Sequence, residues 1–268
     1  MRAVIVGAVG LMLSHALFLE PVMAAACASD SVQSGTVCMD KYESSVWYVP
    51  PSENGLISKI RNGRASLANL TSVSALGAGV VQLGLAAGDL AVKGCPATGN
   101  GCLDFYAVSI PGVRPSVFIT WFQAAAAARN SLKRLPTNQE WQVAALGTPD
   151  TAFADDGSTT CNSDNLAPGL TLTGSRSNCT SDVLAFDMVG NAFEWVAEWV
   201  PRSTACPGWG AFSDDLMCLA GANETSGPGA LNRGGIGSDP SVAGVFTVDA
   251  SRRPQDSSSI IGFRCVRQ

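Results

Sequence analysis

The sequence predicts an α+β domain that has few regular elements and long loops held by disulfides. Three observations support this: short strand-like segments, two stretches with helix-capping residues, and nine cysteines, most of which flank loops rich in Gly, Ser, Asn or Pro. A chain of 268 residues is long enough for one domain with a sizeable core. Apolar residues make up 46% of it, which excludes a disordered protein.

Two helices are predicted from their capping residues. Thr120 precedes an alanine-rich segment and can cap a helix over 120–131. Thr137 and Glu140 form a Thr-x-x-Glu capping box at the start of a second helix, which ends at 146. Four segments are strand-like, because they are rich in β-branched and aromatic residues or lie close to the C-terminus. They are 37–48, 106–110, 244–248 and 262–266.

Two other segments are harder to assign. Residues 52–104 are rich in Gly, Ala, Ser and Leu without a steady period, so they are predicted to form an irregular insertion. Residues 193–200 read FEWVAEWV, and if this stretch is helical its two tryptophans share one face and its two glutamates another. We find no internal repeat and no clean domain boundary, which predicts a single domain over 25–268.

The first 24 residues read as a secretory signal. Arg2 supplies the positive start, an apolar stretch follows, and Val22-Met23-Ala24 offers the small-x-small cleavage pattern. The apolar stretch is short for a bilayer and is interrupted by His15 and Glu20, which disfavours a membrane-spanning helix. The sequence therefore predicts an exported, periplasmic or secreted protein without a membrane span.

Export removes the only histidine, His15. The mature chain then cannot form a Ser-His-Asp triad, a Cys-His pair or a histidine metal ligand. The net charge of −5 and the lack of a basic run beyond Arg252-Arg253 exclude a nucleic-acid partner.

The nine cysteines are expected to form disulfides in an oxidising compartment. Three pairs are local, and each closes a polar loop: Cys95 with Cys102, Cys161 with Cys179, and Cys206 with Cys218.

Cys27, Cys38 and Cys265 remain, and the spacing leaves two alternatives. Cys27 pairs with Cys38, or Cys38 pairs with Cys265 and leaves Cys27 free to carry a lipid. Ala24-Ala25-Ala26-Cys27 lacks the Leu that usually stands three residues before a lipid-bearing cysteine, so an anchor is disfavoured.

Six short segments share their order with the motifs of a known family. They are CMDKYE at 38–43, ITW at 119–121, KRLPTNQEW at 133–141, FDMVGNAFEW at 186–195, RGG at 233–235 and GFRC at 262–265. Over nearly the whole mature chain, they resemble the formylglycine-generating enzyme (sulfatase-modifying factor) family. The resemblance implies a C-type-lectin-like fold with little regular structure and long ordered loops.

The resemblance also implies a structural calcium ion. In the family the segment that matches DMVGNAFE binds calcium through oxygen ligands, which suit this ion. Carried over, the ligands are the side chains of Asp187 and Glu194 and the carbonyls of Gly190 and Ala192. A second family site would include Asn165 and Leu166, but its acidic ligand is not recognisable here.

The catalytic thiols of the family are missing. Its enzymes oxidise a substrate cysteine to formylglycine with two cysteines, five apart, that bind copper(I) between the RGG-like turn and GFRC. Soft thiolates suit that ion. This chain has no cysteine between Cys218 and Cys265, so we expect no copper and no formylglycine synthesis.

The resemblance bears on the odd cysteine as well. A family cysteine in the helix before KRLP pairs with the cysteine of GFRC, and Ala128 stands at its position here. This implies that Cys27 pairs with Cys38 and that Cys265 is unpaired. The apolar neighbours Phe263 and Val266 favour a buried, inert thiol.

Our main functional hypothesis is a binding module for a protein, peptide or glycan. The segment 234–267 is similar to the C-terminal region of the variable proteins of diversity-generating retroelements, which display varied side chains on a lectin-like frame. Exposed polar loops are common ligand sites. The matching candidates are Ile236, Ser238, Asp239, Thr247, Asp249, Ser251, Arg252, Arg253, Asp256 and Ser258.

Two alternatives remain open. An enzyme of another chemistry, such as a periplasmic maturation enzyme acting on a peptide, could use Glu194 and Glu198 for acid–base work. A structural envelope protein would differ from the binding module only in having no soluble ligand.

Overall fold

The computed structural model describes residues 26–150, 155–167, 169–222 and 224–268. The predicted signal sequence lies outside the described residues. The helices are α1 (Asn54–Arg61), α2 (Leu67–Ala75), α3 (Asp89–Val92), α4 (Trp121–Asn130) and α5 (Asn138–Ala145). The strands are β1 (Ser31–Ser34), β2 (Val37–Asp40), β3 (Ser44–Tyr48), β4 (Val81–Leu83), β5 (Phe105–Ser109), β6 (Phe193–Pro201), β7 (Met217–Cys218), β8 (Pro228–Gly234), β9 (Gly244–Asp249), β10 (Ile261–Phe263) and β11 (Val266–Arg267).

The strands form three small sheets. The largest has the order β10-β6-β8-β9-β7, and β6 pairs antiparallel with β8 and parallel with β10. A second sheet has the order β4-β3-β5, and the third, β1-β2-β11, joins the two ends of the chain. The parallel pairing of β6 and β10 brings the C-terminal GFRC segment beside FDMVGNAFEW.

The predicted α+β class with long disulfide-held loops is confirmed. Helices α4 and α5 lie where capping residues predicted them: the Thr120 side chain accepts from the Gln123 amide, and the Thr137 side chain accepts from the Glu140 amide. The Glu140 carboxylate in turn accepts from the Thr137 amide at 2.8 Å, which completes the box.

Residues 52–104 are more regular than the sequence predicted. They contain α1, α2, β4 and α3 in place of an irregular excursion. Helix α1 buries Leu56, Ile57 and Ile60, which join the core cluster beneath β3 and β5. Their spacing is helical, but it lasts only two turns, which is too short for periodicity to be recognised.

The segment 193–200 is a strand, so the condition under which its two tryptophans would share a helical face is not met. Strand β6 has an irregularity in its pairing with β8 between Trp195 and Trp199. Trp195 is therefore fully buried, whereas Trp199 remains 43% exposed. Pairing with β8 and β10 on both sides outweighs the i to i+4 spacing that suggested a helix.

Four disulfides join Cys27 to Cys38, Cys95 to Cys102, Cys161 to Cys179, and Cys206 to Cys218. Cys265 is free and buried. The structure thus contains the three local pairs and the first of the two alternatives for the remaining cysteines. Disulfides of this number are typical of proteins that fold in an oxidising compartment. Within the described residues, no helix is long and apolar enough to cross a bilayer.

Replacing Thr137 by Ala should lower the free energy of unfolding by about 1 kcal/mol, because the amide of Glu140 loses its acceptor at the start of α5. Thr137→Ser keeps the hydroxyl and serves as the control. Urea unfolding followed by tryptophan fluorescence measures both variants. Equal losses in the two would show that the methyl group, not the cap, carries the effect.

Candidate functional site

A buried ion pair lies at the centre of the structure. The Arg264 guanidinium donates to both carboxylate oxygens of Glu194, from Nε and Nη2, each at 2.6 Å. Both side chains are at most 1% exposed. Glu194 lies on β6 and Arg264 directly follows β10, its parallel neighbour, so the strand register brings the two together. A bidentate guanidinium–carboxylate pair is among the strongest polar contacts in proteins.

Arg264 also binds backbone from distant parts of the chain. It donates to the carbonyls of Asp40 at 3.2 Å and Phe186 at 2.8 Å. The indole of Trp141, on α5, donates to Glu194 Oε2 at 2.7 Å. The pair therefore joins β2, β6, α5 and the loop before residue 187 in one hydrogen-bonded unit.

Two further carboxyl groups, Glu43 and Asp187, are buried near the pair. Burial raises the pKa of Asp187 to about 6, although the Gly174 amide and Arg264 oppose the shift. Burial, and then the charges of Asp187 and Glu194, raise the pKa of Glu43 well above its usual range. The Asn191 amide donates to one Glu43 oxygen at 2.6 Å, and the other has no partner among the described residues. The raised pKa means that Glu43 holds a proton more readily than an exposed glutamate does.

The predicted calcium ligands lie around this cluster, but as arranged they do not fit the ion. Both oxygens of Glu194 are already taken by Arg264, and Oε2 also accepts from Trp141. Asp187 Oδ2 accepts from the Gly174 amide at 2.8 Å. Calcium would have to displace the guanidinium from Glu194 before it could bind there. Calcium at this set therefore stays a prediction that requires a measurement.

The turn between Asp187 and Glu194 has an unusual backbone. Gly190 has a φ of 74°, and a Cβ added to it would collide with the carbonyl oxygen of Asn162. Asn191 follows with a φ of 56°. The Gly-Asn pair of the motif is thus required by the turn itself. Asn165, of the second family calcium site, lies on an exposed loop, and its backbone amide donates to the carbonyl of Gly237 at 2.8 Å.

A cavity of about 310 Å³ opens beside this turn. Its walls are mostly apolar, and Arg114 is the one charged side chain among the described residues that line it. A concave apolar pocket with few polar groups is typical of a ligand site. The lining residues are Gly84, Leu85, Arg114, Pro115, Val117, Phe118, Gly169, Leu170, Asn191, Ile236, Gly237, Ser238, Ser259 and Ile260.

Two of the lining residues have a strained backbone. Phe118 has a φ of 53°, which is rare for a bulky side chain, and Asn191 has a φ of 56°. Such strain persists only where the surrounding structure enforces it, and it concentrates at functional sites. Asn191 lines the cavity and also donates to Glu43, so it connects the cavity to the buried cluster.

The structure separates the ten predicted ligand-binding residues into four groups, of which the last, Thr247 and Asp249, is buried. Ile236 and Ser238 line the cavity. Arg252 and Arg253 are exposed, but they are not among the residues that line it. The half-buried residues are Asp239, Ser251, Asp256 and Ser258.

Thr247 and Asp249 are buried, so their prediction as surface ligands is corrected. Both lie on β9, where Thr247 donates to the carbonyl of Val242 at 2.8 Å. Asp249 accepts from the amide of Ser251 at 2.6 Å. Pairing of β9 with both β8 and β7 encloses them.

The carboxylate pair of the enzyme alternative does not form. Glu194 is bound by Arg264, whereas Glu198 accepts from the amide of Asn138 at the start of α5, at 2.8 Å. The irregularity in β6 separates the two glutamates. Neither is placed to exchange a proton with a ligand in the cavity, because neither is among its lining residues.

The free thiol of Cys265 is buried and is not placed to react. Its sulfur lies 3.6 Å from the Ser44 hydroxyl, and burial raises the pKa of the Cys265 thiol. The neighbouring Asp40 adds to that shift. A thiol held in its protonated form is a poor nucleophile and a poor metal ligand.

Sequence reasoning missed Glu43, Arg114 and Asn191 as site residues. Glu43 ends the CMDKYE motif and Asn191 lies within FDMVGNAFEW, so their motif membership was a usable signal. Arg114 lies outside the motifs, and only the fold brings it to the cavity.

Arg264→Met should lower the free energy of unfolding by about 3–5 kcal/mol, because Glu194 would keep a buried charge without its partner. Adding Glu194→Gln should recover part of the loss. Arg252→Met, at an exposed site, is the control and should cost less than about 0.5 kcal/mol. Guanidinium unfolding measures all three, and an Arg264→Met effect no larger than the control contradicts the assignment.

Chelation tests the calcium prediction. If Arg264 neutralises Glu194 in the absence of calcium, the melting temperatures in excess CaCl2 and in excess EGTA should agree within about 1 °C. Saturating calcium at a native site would instead raise the melting temperature by about 5 °C or more. Asp187→Asn, measured in the same way, would identify the site if a shift occurs.

Comparison with known proteins places the chain in a family. The family model for the sulfatase-modifying factor enzyme 1-like domain matches residues 89–268. The serine/threonine-protein kinase pkn1 of Chlamydia pneumoniae is 28% identical over 152 residues, which cover 44% of this chain and 22% of that protein. The chain thus corresponds to less than a quarter of that relative's length.

Solved structures give weaker likenesses. CarF is 16% identical with a TM-score of 0.43, and the match covers 86% of this chain and 85% of CarF. PvdO from Pseudomonas aeruginosa is 17% identical with a TM-score of 0.40, over 87% of this chain and 80% of PvdO. The Major Tropism Determinant I1 variant is 20% identical with a TM-score of 0.39, over 57% of this chain and 39% of that protein. On the family match, which spans more than half of its residues, the chain belongs to the sulfatase-modifying factor enzyme 1-like family.

Proposed function

We propose that this chain is an exported, non-catalytic member of its family that binds a protein, peptide or glycan ligand in the cavity beside Asn191. The observation that carries the proposal is the state of its nine cysteines. Eight of the nine cysteines form disulfides, and Cys265 is buried and kept protonated. The chain therefore has no thiol pair to offer copper(I) where family enzymes bind it.

The cavity supports a binding role. A volume of about 310 Å³ is at the lower end of the range for small-molecule sites and suits one side chain or one sugar ring of a larger ligand. Apolar walls supply burial, and the exposed hydroxyls of Ser238 and Ser259 supply polar contacts at the rim. Arg114 gives the site a positive charge, so a ligand with a nearby anionic group is favoured.

The frame beneath the cavity supports preorganised binding. Asn191 is fixed by Glu43, and its side-chain oxygen accepts from Asn162 at 3.1 Å and from the Thr171 amide at 2.8 Å. Because the polar groups of Asn191 are already paired, this side of the cavity does not reorganise on binding. The entropic cost of association is lower as a result. The same saturation leaves Asn191 no free group for acid–base chemistry.

Two assays on the purified protein test the proposal. The first adds copper(I), oxygen and a Cys-x-Pro-x-Arg peptide, and mass spectrometry follows the substrate cysteine; we expect no conversion to formylglycine. The second titrates the fluorescent dye 1-anilinonaphthalene-8-sulfonate, which combines apolar rings with an anionic group. We expect saturable binding that Ser259→Trp abolishes, because the indole fills the cavity that Ser259 lines.

Ser257→Trp is the matched control for the dye assay. Ser257 is exposed and lies two residues from Ser259, but it is not among the residues that line the cavity. Its dye affinity should match that of the unmodified protein. Turnover of the peptide would replace the binding module with the enzyme alternative. Equal dye binding by the two tryptophan variants would remove the cavity as the ligand site.

A further inference from the structure

An aromatic surface lies apart from the cavity. Trp209, Phe212 and Phe246 form what we term the aromatic platform, with ring centroids 5.0 Å apart for Phe212 and Phe246 and 5.9 Å apart for Trp209 and Phe212. None of the three lines the cavity. Phe212 is 68% exposed, which is costly for a ring of this size in water. Exposed apolar clusters of this kind mark interaction sites.

The platform is rigid at its base. Trp209 packs against the core cluster that contains Trp141, and its indole donates to the carbonyl of Phe246 at 3.2 Å. Phe246 lies on β9, and the loop that carries Trp209 and Phe212 is closed by the disulfide between Cys206 and Cys218. The rings are therefore presented on a fixed support, so a partner would not have to order them.

Carboxylates lie along one side of the platform. Asp215 Oδ2 accepts from the amide of Phe246 at 2.7 Å, and Asp150 Oδ2 accepts from the amide of Val245 at 2.8 Å. Asp214, beside Asp215, is exposed. Asp215 is buried, and burial together with the neighbouring Asp150 raises the pKa of its carboxyl group to about 6.

No cation balances this charge within the part of the chain that the structure describes. None of the ion pairs found there involves Asp150, Asp214 or Asp215. Arg233 is the cation whose charge reaches Asp215, but it is buried over the ring of Trp141, 4.8 Å from the ring centroid, and donates to Gln142 and to the carbonyl of Val245. A cation from a partner would find both aromatic faces and carboxylates.

We propose that the aromatic platform and the neighbouring carboxylates of Asp150 and Asp214 bind an arginine or lysine side chain of a basic segment in a protein partner. Ring faces attract a cation through their quadrupole, and a guanidinium also stacks on them. The carboxylates add electrostatic attraction and set the orientation of the incoming charge. A neutral sugar would stack on the rings and donate its hydroxyls to the aspartates, but it brings no positive charge to balance theirs. This surface is independent of the cavity and of the function proposed for it.

The test uses a fluorescein-labelled peptide Gly-Arg-Gly-Arg-Gly and the same peptide with citrulline in place of arginine. Citrulline keeps the shape of the side chain and removes its charge. Fluorescence anisotropy with the purified protein should show binding of the arginine peptide that weakens as salt is added. The citrulline peptide should bind at least about tenfold more weakly.

Variants assign the binding to the platform. Phe212→Ala, an exposed site, should weaken binding about fivefold, and Asp214→Asn about threefold. The matched controls are Leu103→Ala, at a leucine that is 71% exposed, and Asp182→Asn, at another exposed aspartate. Both controls, and the cavity variant Ser259→Trp, should bind the peptide as the unmodified protein does.

Three outcomes would overturn the proposal. They are equal affinity for the arginine and citrulline peptides, an unchanged affinity in Phe212→Ala, and losses in the controls as large as those in the platform variants. Loss of dye binding in Ser259→Trp with normal peptide binding would leave this proposal intact and bear only on the cavity.

Discussion

The buried contact between Arg264 and Glu194 is the interaction on which the rest of the structure depends. Removing both charges from water is costly, and the cost is recovered only because every donor and acceptor is placed to meet a partner. The guanidinium donates to the carbonyls of Asp40 and Phe186, and the indole of Trp141 donates to the carboxylate of Glu194. Regular structure is sparse in this chain, so such a unit substitutes for the continuous ladders that hold larger sheets together.

The fold class and helices α4 and α5 could be predicted from local sequence, because their signals were chemical. The hydroxyls of Thr120 and Thr137 each find the amide three residues on, so the capping pattern located α4 and α5. Strand β6 was harder, since its i to i+4 tryptophans suit a helix, and only its neighbours β8 and β10 decide otherwise. Helix α1 is too short for its apolar residues to show a period.

The site could be predicted only in part, for a different physical reason. Motifs pointed to Asp187 and Glu194, but which cation neutralises Glu194 depends on Arg264, 70 residues further along the chain. Likewise, the similarity of segment 234–267 to variable proteins suggested that Thr247 and Asp249 face a ligand, whereas strands on both sides of β9 bury them. Arg114 and Ile236 meet at the cavity because distant loops converge there, which a linear pattern does not encode.

The four disulfides span only 7 to 18 residues each, so no covalent bond joins the beginning of the domain to its end. That closure falls to the β2–β11 pairing and to Arg267 and Lys133, which both bind Asp30. Under mechanical load applied at the termini, these noncovalent contacts would yield first, while the crosslinked loops kept their shape. A protein held at one terminus and pulled at the other would thus separate first at the β2–β11 pairing.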